Sequence, residues 1–234
     1  LGTGVLVPSN RIEPVAANAF ASLNQIAPGR IDFGVGTGFT ARRTMGLGAI
    51  SLKDTQRYIQ RVQALLAGET LEWAFEGQQR KIRFLNPDLG LINLTDEVPL
   101  WFSAFGPKAM GVAADLKAGW LNFGINGAEE SLASMQNVWA VLTGDRALDE
   151  ARLMSQAAPL TAVMFHNLAD EVGAMGGRNL PTGPLSNLLS EYLAVHDTYQ
   201  PAEAKYLTNH RGHLMFVRPE ETHISPDLVR SNTL

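Results

Sequence analysis

The sequence predicts an α/β fold in which parallel strands alternate with helices, and three observations lead to this prediction. Short apolar runs alternate with segments in which apolar residues recur at helical spacing. Two glycine-rich loops each follow a predicted strand and lead toward a helix. No linker, block of charge or internal repeat divides the 234 residues, so one domain with parallel strands and crossover helices is expected.

The beginning of the chain already shows this alternation. Leu1–Val7 is short and apolar, as expected for a strand, and Pro8 ends it. From Glu13 onward, apolar residues recur every third or fourth position until Pro28, which predicts a helix. Arg30–Gly36 is predicted to be the next strand, and the first glycine-rich loop follows it.

The next segment predicts a helix and a β-hairpin. Ser51 begins the helix, and Asp54, three residues later, completes an approximate capping box. Gly68 is expected to end this helix. Residues 71–85, with the sequence LEWAFEGQQRKIRFL, alternate at period two on both sides of Gly77, which is typical of a hairpin. We interpret this hairpin as an insertion into the repeating pattern.

The remaining elements continue the alternation. Three further strands are predicted, and they span Val98–Ala104, Trp120–Phe123 and Leu160–Phe165. Further helices are expected after Gly106, over residues 132–142, and over Leu185–Val195.

The composition excludes several classes of function. The net charge is −4, which argues against a nucleic-acid partner because neutralising phosphates requires a basic surface. The chain has no cysteine, which excludes disulfides, thiolate zinc sites, iron–sulfur ligation and a cysteine nucleophile. No apolar run approaches the roughly 20 residues of a membrane span, so no membrane partner is expected. The absence of cysteine is compatible with the cytoplasmic location that we predict.

The loop Gly34–Gly38 raises the question of nucleotide binding. A dinucleotide-binding fingerprint needs G-x-G-x-x-G directly between a strand and a helix, whereas these glycines are spaced two and two, and no helix follows at once. A tight turn that needs glycine only for its positive φ angles is the simplest interpretation. A second such loop, Ser103–Ala109, favours a function instead. Loops that follow parallel strands meet at one rim of a barrel, where active sites collect, and the helix N-terminus after this loop suits a phosphate group.

The histidines offer few signals. Among the five, His210 and His213 form an H-x-x-H pair, but no helical HExxH motif accompanies it, so we predict no metal site. His213 precedes an apolar run and is a candidate proton donor at the barrel mouth, with a structural role as the simpler interpretation. His166 follows the last predicted strand and is a second candidate at the same rim. His196 and His223 are expected at the surface.

Five motifs, in order along the chain, resemble one known family. They read LGTGVLVPSNR, A-x-L-x-Q-x-A-P-G-R-I-D-F-G-V-G-T-G, Y-x-x-x-V-x-A-L-L-A-G-E, V-P-L-W-F-S-A-F-G-P-K-A and A-A-D-L-K-A-G-W-L, and they cover Leu1–Leu121. Together they resemble the bacterial-luciferase-like superfamily of TIM-barrel oxidoreductases, which use a flavin or the deazaflavin coenzyme F-420. The resemblance implies a TIM (β/α)8 barrel over residues 1–234, in which Leu1–Val7 is the third strand. The barrel is therefore expected to be incomplete at both ends.

The resemblance also implies cofactor-binding residues at the carboxyl ends of the strands. In deazaflavin members a non-proline cis peptide follows the third strand and lies behind the cofactor ring, and Gly4 and Val5 match it. The loops after the later strands would lie along the cofactor or hold its ring edge and phosphate tail. The implied residues are Gly4, Val5, Gly36, Thr37, Gly38, Ser103, Ala104, Phe105, Gly106, Phe123 and Gly124.

One position departs from the family pattern. Some deazaflavin dehydrogenases carry an acidic residue directly after the Gly-Thr-Gly loop, where this sequence has Phe39. Arg42 and Arg43 follow shortly, and their positive charges would favour binding of an anionic substrate or of the cofactor's tail. The alternative is that they are solvated charges of the loop. The family's usual acid–base groups come largely from the first two strands, so no catalytic residue is assigned beyond the candidates His213 and His166.

The implied function is an oxidoreductase that transfers a hydride between bound F-420 or a flavin and a small organic substrate. The GTGV and GVGTG motifs favour F-420 over FMN. Three alternatives stay open: an FMN-dependent monooxygenase that uses molecular oxygen, a non-catalytic flavin-binding homologue or fragment, and an unrelated α/β enzyme acting on a phosphorylated substrate. By family analogy, a homodimer is expected.

Overall fold

A computed structural model of the chain describes residues 1–122, 133–136, 140–175 and 183–231. These residues form two compact units. The first unit comprises Leu1–Phe39 and Ala49–Asn137, and the second comprises Thr40–Gly48 and Val138–Leu234. The prediction that both belong to one barrel domain stays a prediction.

The first unit alternates strands and helices. Its helices are α1 (Glu13–Ile26), α3 (Leu52–Leu66) and α4 (Pro107–Asp115), and the short helix α2 (Phe39–Arg43) begins at its boundary with the second unit. Its strands are β1 (Phe33–Val35), β2 (Leu71–Phe75), β3 (Gln78–Ile82), β4 (Leu100–Ser103), β5 (Gly119–Asn122) and β6 (Ser134–Gln136).

A parallel sheet forms the centre of the first unit. Its strand order is β1-β4-β5-β6, and every neighbouring pair in this order is parallel. The segment before α1 extends this sheet through two isolated parallel bridges, Gly2 to Asp32 and Leu6 to Val35. The predicted strand Leu1–Val7 is therefore reduced to two bridges beside β1. Parallel strands joined by helices place their carboxyl ends along one edge of the sheet.

Two helices cover the sheet because their apolar faces match it. Ser51 caps α3, since its hydroxyl oxygen accepts a 3.1 Å hydrogen bond from the Asp54 amide, which confirms the predicted start of this helix. The ring of Phe20 on α1 lies 4.8 Å from the ring of Phe33 on β1. The buried residues of this core include Ala16, Phe20, Phe33, Val35, Ile59, Val62, Phe102 and Trp120.

The predicted hairpin is present as strands β2 and β3. The two strands pair antiparallel, and the turn residues Glu76 and Gly77 both have positive φ angles. Trp73 fastens the hairpin to α1, because its indole Nε1 donates a 3.0 Å hydrogen bond to Glu13 Oε2. Arg61 on α3 donates to the other oxygen of the same carboxylate at 2.9 Å. Burial by itself raises the pKa of Glu13, but the hydrogen bonds from Trp73 and Arg61 lower it overall.

The second unit, in its described part, is helical. It contains α5 (Arg146–Arg152), α6 (Ala158–Met175), α7 (Pro184–His196), α8 (Tyr206–Asn209) and α9 (Pro226–Ser231), and a π-helical turn over Leu153–Ala157 joins α5 to α6. The core of this unit includes Leu153, Phe165, Leu189, Tyr192 and Ile224. Helix α7 confirms the helix predicted over Leu185–Val195.

Three predictions of secondary structure were wrong. Helix α2 (Phe39–Arg43) begins directly after Gly38, although no helix was expected to follow this loop at once. The predicted strand Leu160–Phe165 lies inside helix α6, whose 18 residues continue far beyond the apolar run. Helical residues were expected over 132–142, but residues 134–136 form strand β6. Within the described ranges, the helices are too short or too polar to cross a membrane. The mixed α/β architecture agrees with the predicted class. The described parallel sheet has four strands, and the closed barrel of eight strands stays a prediction.

Candidate functional site

The first candidate site lies where the N-terminal segment, β1 and β4 end side by side. Gly36, directly after β1, donates a 3.1 Å hydrogen bond to the Leu6 carbonyl. A Cβ atom on Gly36 would lie 2.9 Å from Val5 Cγ2 and 3.4 Å from Ser103 Cβ. Glycine at this position therefore allows three predicted cofactor-binding residues, from three separate segments, to lie against one another. We call this arrangement the glycine seat.

Two residues before Gly36 on β1, the backbone of Gly34 closely approaches the backbone of Thr3. A Cβ atom on Gly34 would lie 1.8 Å from the carbonyl oxygen of Thr3, so the two backbones are closer here than any side chain permits. The Thr3 hydroxyl donates a 2.6 Å hydrogen bond to the Gly34 carbonyl and accepts one of 3.1 Å from the Gly34 amide. The peptide bond between Gly4 and Val5 is cis, as the family resemblance implies.

The loop after β4 forms the neighbouring wall of the site. The buried Trp120 donates a 2.5 Å hydrogen bond from its indole nitrogen to the Ala104 carbonyl, which fixes the start of this loop. Gly106 is the N-cap residue of α4, and no side chain caps the amides of the first turn. Uncapped amides and the helix dipole together make this terminus suitable for an anion.

Apolar side chains are exposed around the glycine seat. Val5 and Phe39 are each 37% exposed, and Phe105 is 63% exposed. A Cβ atom added to Gly4 or to Gly106 would contact nothing within 4 Å, so both glycines border open space. Exposed apolar groups beside open space suit a flat ring system, which buries apolar area on both of its faces.

One cavity of about 370 Å³ lies elsewhere in this unit. It is lined by Gln25, Pro87, Ile92, Asn93, Leu94, Thr95 and Asp96. These residues precede β1 and β4, so the cavity belongs to the amino ends of the strands. Ligands of open parallel sheets bind outside the carboxyl ends of the strands, so we assign no chemistry to this cavity.

A buried ion pair lies in the second unit. Arg218 Nη2 donates a 2.6 Å hydrogen bond to Glu221 Oε1, and the Arg218 amide donates one of 2.6 Å to Glu221 Oε2. Nε2 of the buried His166 lies 2.5 Å from the same Oε1. Burial by itself raises the pKa of Glu221, but the hydrogen bonds from His166 and Arg218 outweigh it and lower this pKa to about 2. Glu221 is therefore an ionised acceptor at neutral pH.

The Arg218 guanidinium joins three further segments. It donates to the Tyr192 hydroxyl at 3.1 Å and to the Thr208 carbonyl, and its carbon lies 5.1 Å from the centre of the Tyr199 ring. The Tyr192 hydroxyl in turn donates to Asn209 Oδ1. A single buried cation thus connects α7, α8 and the segment before α9.

Asp170 on α6 collects a second set of donors. Its Oδ1 accepts a 2.9 Å hydrogen bond from Asn209, and its Oδ2 lies 2.8 Å from His210 Nε2 and 3.3 Å from Arg43 Nη1. Burial by itself raises the pKa of Asp170, but the hydrogen bond and charge of His210 and the charge of Arg43 lower it overall. Asp170 is therefore also ionised near neutral pH.

Three histidines come together beside these two carboxylates. One ring nitrogen from each of His166, His210 and His213 lies within 4.8 Å of the others. The rings of His166 and His210 are 6.0 Å apart and nearly perpendicular, and those of His210 and His213 are 5.8 Å apart. We call these residues the three-histidine cluster.

Most of the chain matches the sequence profile of a known protein family. The profile described as luciferase-like monooxygenase matches residues 1–164. The chain belongs to the luciferase-like monooxygenase family. The matched range contains the glycine seat and the loop after β4, which are the positions where the motifs resemble the family.

Known members of the luciferase-like family match parts of the chain. An F-420-dependent glucose-6-phosphate dehydrogenase of Beutenbergia cavernae is 35% identical over 130 residues, which are 52% of this chain and 36% of the relative. A 5,10-methylenetetrahydromethanopterin reductase of Methanolobus tindarius is 32% identical over 123 residues, and this match covers 52% of this chain and 36% of the relative. An F-420-dependent glucose-6-phosphate dehydrogenase of Microbacterium testaceum is 28% identical over 218 residues, which are 89% of this chain and 60% of the relative. The matches thus span between about a third and three fifths of these relatives.

Two solved structures also resemble the chain. The monooxygenase RslO1 from Streptomyces bottropensis has 15% identity and a TM-score of 0.42, covering 99% of this chain and 65% of its own. An F-420-dependent secondary alcohol dehydrogenase, in complex with an F-420–acetone adduct, has 18% identity and a TM-score of 0.43, covering 100% of this chain and 64% of its own.

The structure brings together most of the predicted cofactor-binding residues of this luciferase-like chain. Gly4 and Val5 lie beside Gly36, and Ser103 borders it. Thr37 and Gly38 continue the same loop, in which the Thr37 carbonyl accepts a 2.9 Å hydrogen bond from the Ile50 amide. Ala104, Phe105 and Gly106 form the loop before α4, whereas Phe123 and Gly124 lie outside the described residues. The cofactor role of all these residues stays a prediction.

The other predicted site residues lie in the second unit. Arg42 donates a 2.5 Å hydrogen bond from Nε to the Gly48 carbonyl, and Arg43 pairs with Asp170 and, at 3.6 Å, with Glu171. Their role toward an anionic substrate stays a prediction. The premise for His166 was wrong, because it lies inside helix α6 and does not follow a strand.

Several residues of the second unit were missed by the sequence analysis. His223 is buried, although it was expected at the surface. Arg218, Glu221, Asp170 and Asn209 were not predicted as site residues. The signals from this region were the H-x-x-H spacing and the two candidate histidines, His166 and His213.

Acidification is expected to destabilise the fold through His223. Burial lowers the pKa of His223 to about 4 in the folded protein, below its ordinary value near 6.5. The unfolded chain therefore binds a proton first as the pH falls from about 6.5 to 4, and the neutral folded form loses stability in that window. Between these pH values, the free energy of unfolding of the His223→Phe variant is expected to fall by about 1 to 2 kcal/mol less than that of the parent, after allowance for screening. Urea unfolding at pH 7, 5.5 and 4.5 measures this difference, and parallel pH profiles of the two proteins would contradict it.

Proposed function

We propose that the chain carries the cofactor-binding part of an F-420-dependent oxidoreductase that transfers a hydride to or from a small organic substrate. The observation that supports this most directly is the glycine seat, where Val5, Gly36 and Ser103 from three strand ends lie together within the family's matched range. Two of the three relatives described above are named as F-420-dependent. We further propose that the parallel sheet belongs to a (β/α)8 barrel.

The described residues fit such a cofactor in shape and in charge. The exposed apolar side chains Val5, Phe39 and Phe105 suit the faces of a tricyclic ring, and Gly4 leaves the space beside them open. The uncapped N-terminus of α4 suits a phosphate. When bound, F-420 supplies hydride chemistry at its deazaflavin ring, while the protein contributes placement and an apolar surrounding.

Each part of the site has a proposed task. Val5 and the Gly36–Gly38 loop support one face and one edge of the ring. Ala104, held by Trp120, positions the loop that carries Phe105, which excludes water from the ring. The amides that follow Gly106 orient the phosphate-bearing tail. The acid–base group and the substrate are not assigned to residues of this chain, and the homodimer stays a prediction.

Titration of the purified protein with F-420 and, separately, with FMN tests this proposal. We expect F-420 to bind more tightly than FMN, as followed by the fluorescence of each cofactor. The Gly36→Ala variant is expected to weaken F-420 binding about tenfold or more, equivalent to about 1.4 kcal/mol, because its methyl group separates Val5 from Ser103.

The matched control is Gly111→Ala, which lies within α4. A Cβ atom on Gly111 would contact nothing within 4 Å, so the affinity for F-420 should be unchanged. Preferential binding of FMN would favour the oxygen-using monooxygenase instead. Binding of neither cofactor, in a protein that melts cooperatively, would end the proposal.

A further inference from the structure

Two rings of the three-histidine cluster, those of His166 and His210, each contact a carboxylate through Nε2. A carboxylate can only accept hydrogen bonds when ionised. Glu221 and Asp170 are both ionised near neutral pH, and they lie 2.5 Å and 2.8 Å from Nε2 of His166 and His210, respectively. Arg218 Nη2 also lies 3.1 Å from His166 Nε2, but the shorter contact with the Glu221 carboxylate favours the proton on Nε2, as the contact with Asp170 does in His210. The Nε2 side of both rings is thus occupied by a carboxylate, which leaves Nδ1 as the nitrogen available to a further partner.

The Nδ1 atoms of the cluster are buried. Nδ1 of His166, of His210 and of His213 each lack a hydrogen-bond partner within the described ranges of the chain. The side chains of His166 and His210 are each only 2% exposed. Buried polar atoms in folded proteins almost always have a hydrogen-bond partner, so three without one in a single cluster require an explanation.

The surroundings of the cluster suit a cation. The carboxylates Asp170 and Glu221 contribute negative charge directly behind the rings.

We propose that His166, His210 and His213 form a binding site for a divalent transition metal, with Zn²⁺ as the best-suited ion. Three imidazole nitrogens with an open fourth position are a ligand set that Zn²⁺ accepts in tetrahedral geometry. Glu221 and Asp170 orient the rings from behind by accepting their Nε2 protons, the arrangement that usually supports metal-bound histidines. This proposal reverses the prediction, made from the sequence, that the chain has no metal site.

The spacing of the cluster is compatible with such a site. Nitrogens bonded to one tetrahedral Zn²⁺ at about 2.0 to 2.1 Å are about 3.4 Å apart. One ring nitrogen from each histidine lies within 4.8 Å of the others, so an approach of at most about 1.4 Å between any two of them would reach the zinc-bound spacing. His213 is half-buried, whereas His166 and His210 are buried, so His213 is the ligand with the greatest freedom to move.

Direct titration with the metal alone tests the site without any cofactor. The protein is stripped with a chelator and titrated with Co²⁺, followed by visible absorbance, and then with Zn²⁺ in competition. We expect one equivalent of Co²⁺ to give the intense absorbance of a four-coordinate site, and Zn²⁺ to displace it. Because F-420 is absent, failure of this test and failure of the proposed function are distinguishable.

Two variants make the assignment specific. His213→Gln removes one ligand at a half-buried position and should weaken Co²⁺ binding at least about tenfold, and Asp170→Asn should weaken it about 10- to 100-fold through the orientation of His210. The matched control is His196→Gln, a half-buried histidine outside the cluster, which should bind Co²⁺ like the parent. Thermal melts establish that each variant is folded.

The outcomes separate cleanly. Four-coordinate absorbance at one equivalent, weakened by His213→Gln and not by His196→Gln, supports the site. Absence of Co²⁺ and Zn²⁺ binding by the folded parent overturns the proposal. Equal binding by the parent and His213→Gln overturns it as well, because the ion would then be held elsewhere.

Discussion

Replacement of Arg218 by methionine is expected to lower the free energy of unfolding by about 3 to 5 kcal/mol at pH 7.5, the largest effect of any single change proposed here. The guanidinium is buried, and it lies 2.6 Å from the buried Glu221 carboxylate. Methionine fills much of the same volume but leaves that carboxylate without its cation. The Tyr192 hydroxyl and the Thr208 carbonyl also lose a donor. Urea unfolding followed by circular dichroism measures the change.

Two further variants distinguish the lost charge from lost packing. In the double variant Arg218→Met with Glu221→Gln, the buried charge of Glu221 is removed together with that of Arg218, and the amide oxygen still accepts from His166. We expect this double variant to recover at least about 1 kcal/mol relative to the single variant. Arg211→Met is the surface control, because Arg211 is 64% exposed and pairs with Glu220 only at 3.9 Å. A loss from Arg218→Met no greater than that from Arg211→Met would refute the argument.

The variant Gly34→Ala is expected to destabilise the first unit by about 3 kcal/mol. The added methyl carbon would lie 1.8 Å from the Thr3 carbonyl oxygen, and backbone cannot rotate away as a side chain can. The N-terminal segment must therefore separate from β1, which breaks both hydrogen bonds between the Thr3 hydroxyl and Gly34. Because Gly36 and Val5 follow on the same two segments, F-420 binding should be lost together with stability.

Thermal unfolding and hydrogen exchange test the Gly34 prediction. Amide exchange at Leu6, which donates to the Gly34 carbonyl at 2.8 Å, should accelerate in the variant. Gly48→Ala is the control, since a Cβ atom there would contact nothing within 4 Å. An unchanged melting temperature in Gly34→Ala would show that the two backbones are further apart than described.

The first unit could be predicted well from the sequence because its signals are local. The capping residue Ser51, the alternation around Gly77 and the two glycine loops each act within a few residues, and each appears where it was predicted. The cis peptide between Gly4 and Val5 could be expected only from the family resemblance, since nothing in the composition of these residues demands it.

The strand predicted over Leu160–Phe165 was wrong for an identifiable reason. A short apolar run is compatible with a buried strand or with a buried helix, and periodicity does not separate them. The run here continues through His166 to Met175, and the Ala, Leu and Met residues of the whole segment favour a helix. The length of this segment, 18 residues, is typical of a helix and too long for a strand.

The polar network of the second unit could not be predicted. Its members lie far apart in the sequence, from Arg43 to Glu221, and only the packing of α6 and α7 with the tail brings them together. Single buried charges give no periodic pattern, since each is explained only by a partner on another element. His210 and His213 were visible as an H-x-x-H pair. His166 was predicted to lie at the same rim as His213, but on the premise of a strand that is part of helix α6.

The hydrogen-bonded tryptophans give the first unit its own spectroscopic labels. The indole Nε1 protons of Trp73, Trp101 and Trp120 are donated to Glu13, Asp32 and the Ala104 carbonyl, respectively. Indole protons resonate in a separate region of a nitrogen–proton correlation spectrum, so each of these three resonances reports on a different place. The Trp120 signal follows the loop before α4, the Trp101 signal follows the start of β1, and the Trp73 signal follows the hairpin. Events at the loop before α4 can therefore be distinguished, without any added probe, from changes at the opposite end of the sheet.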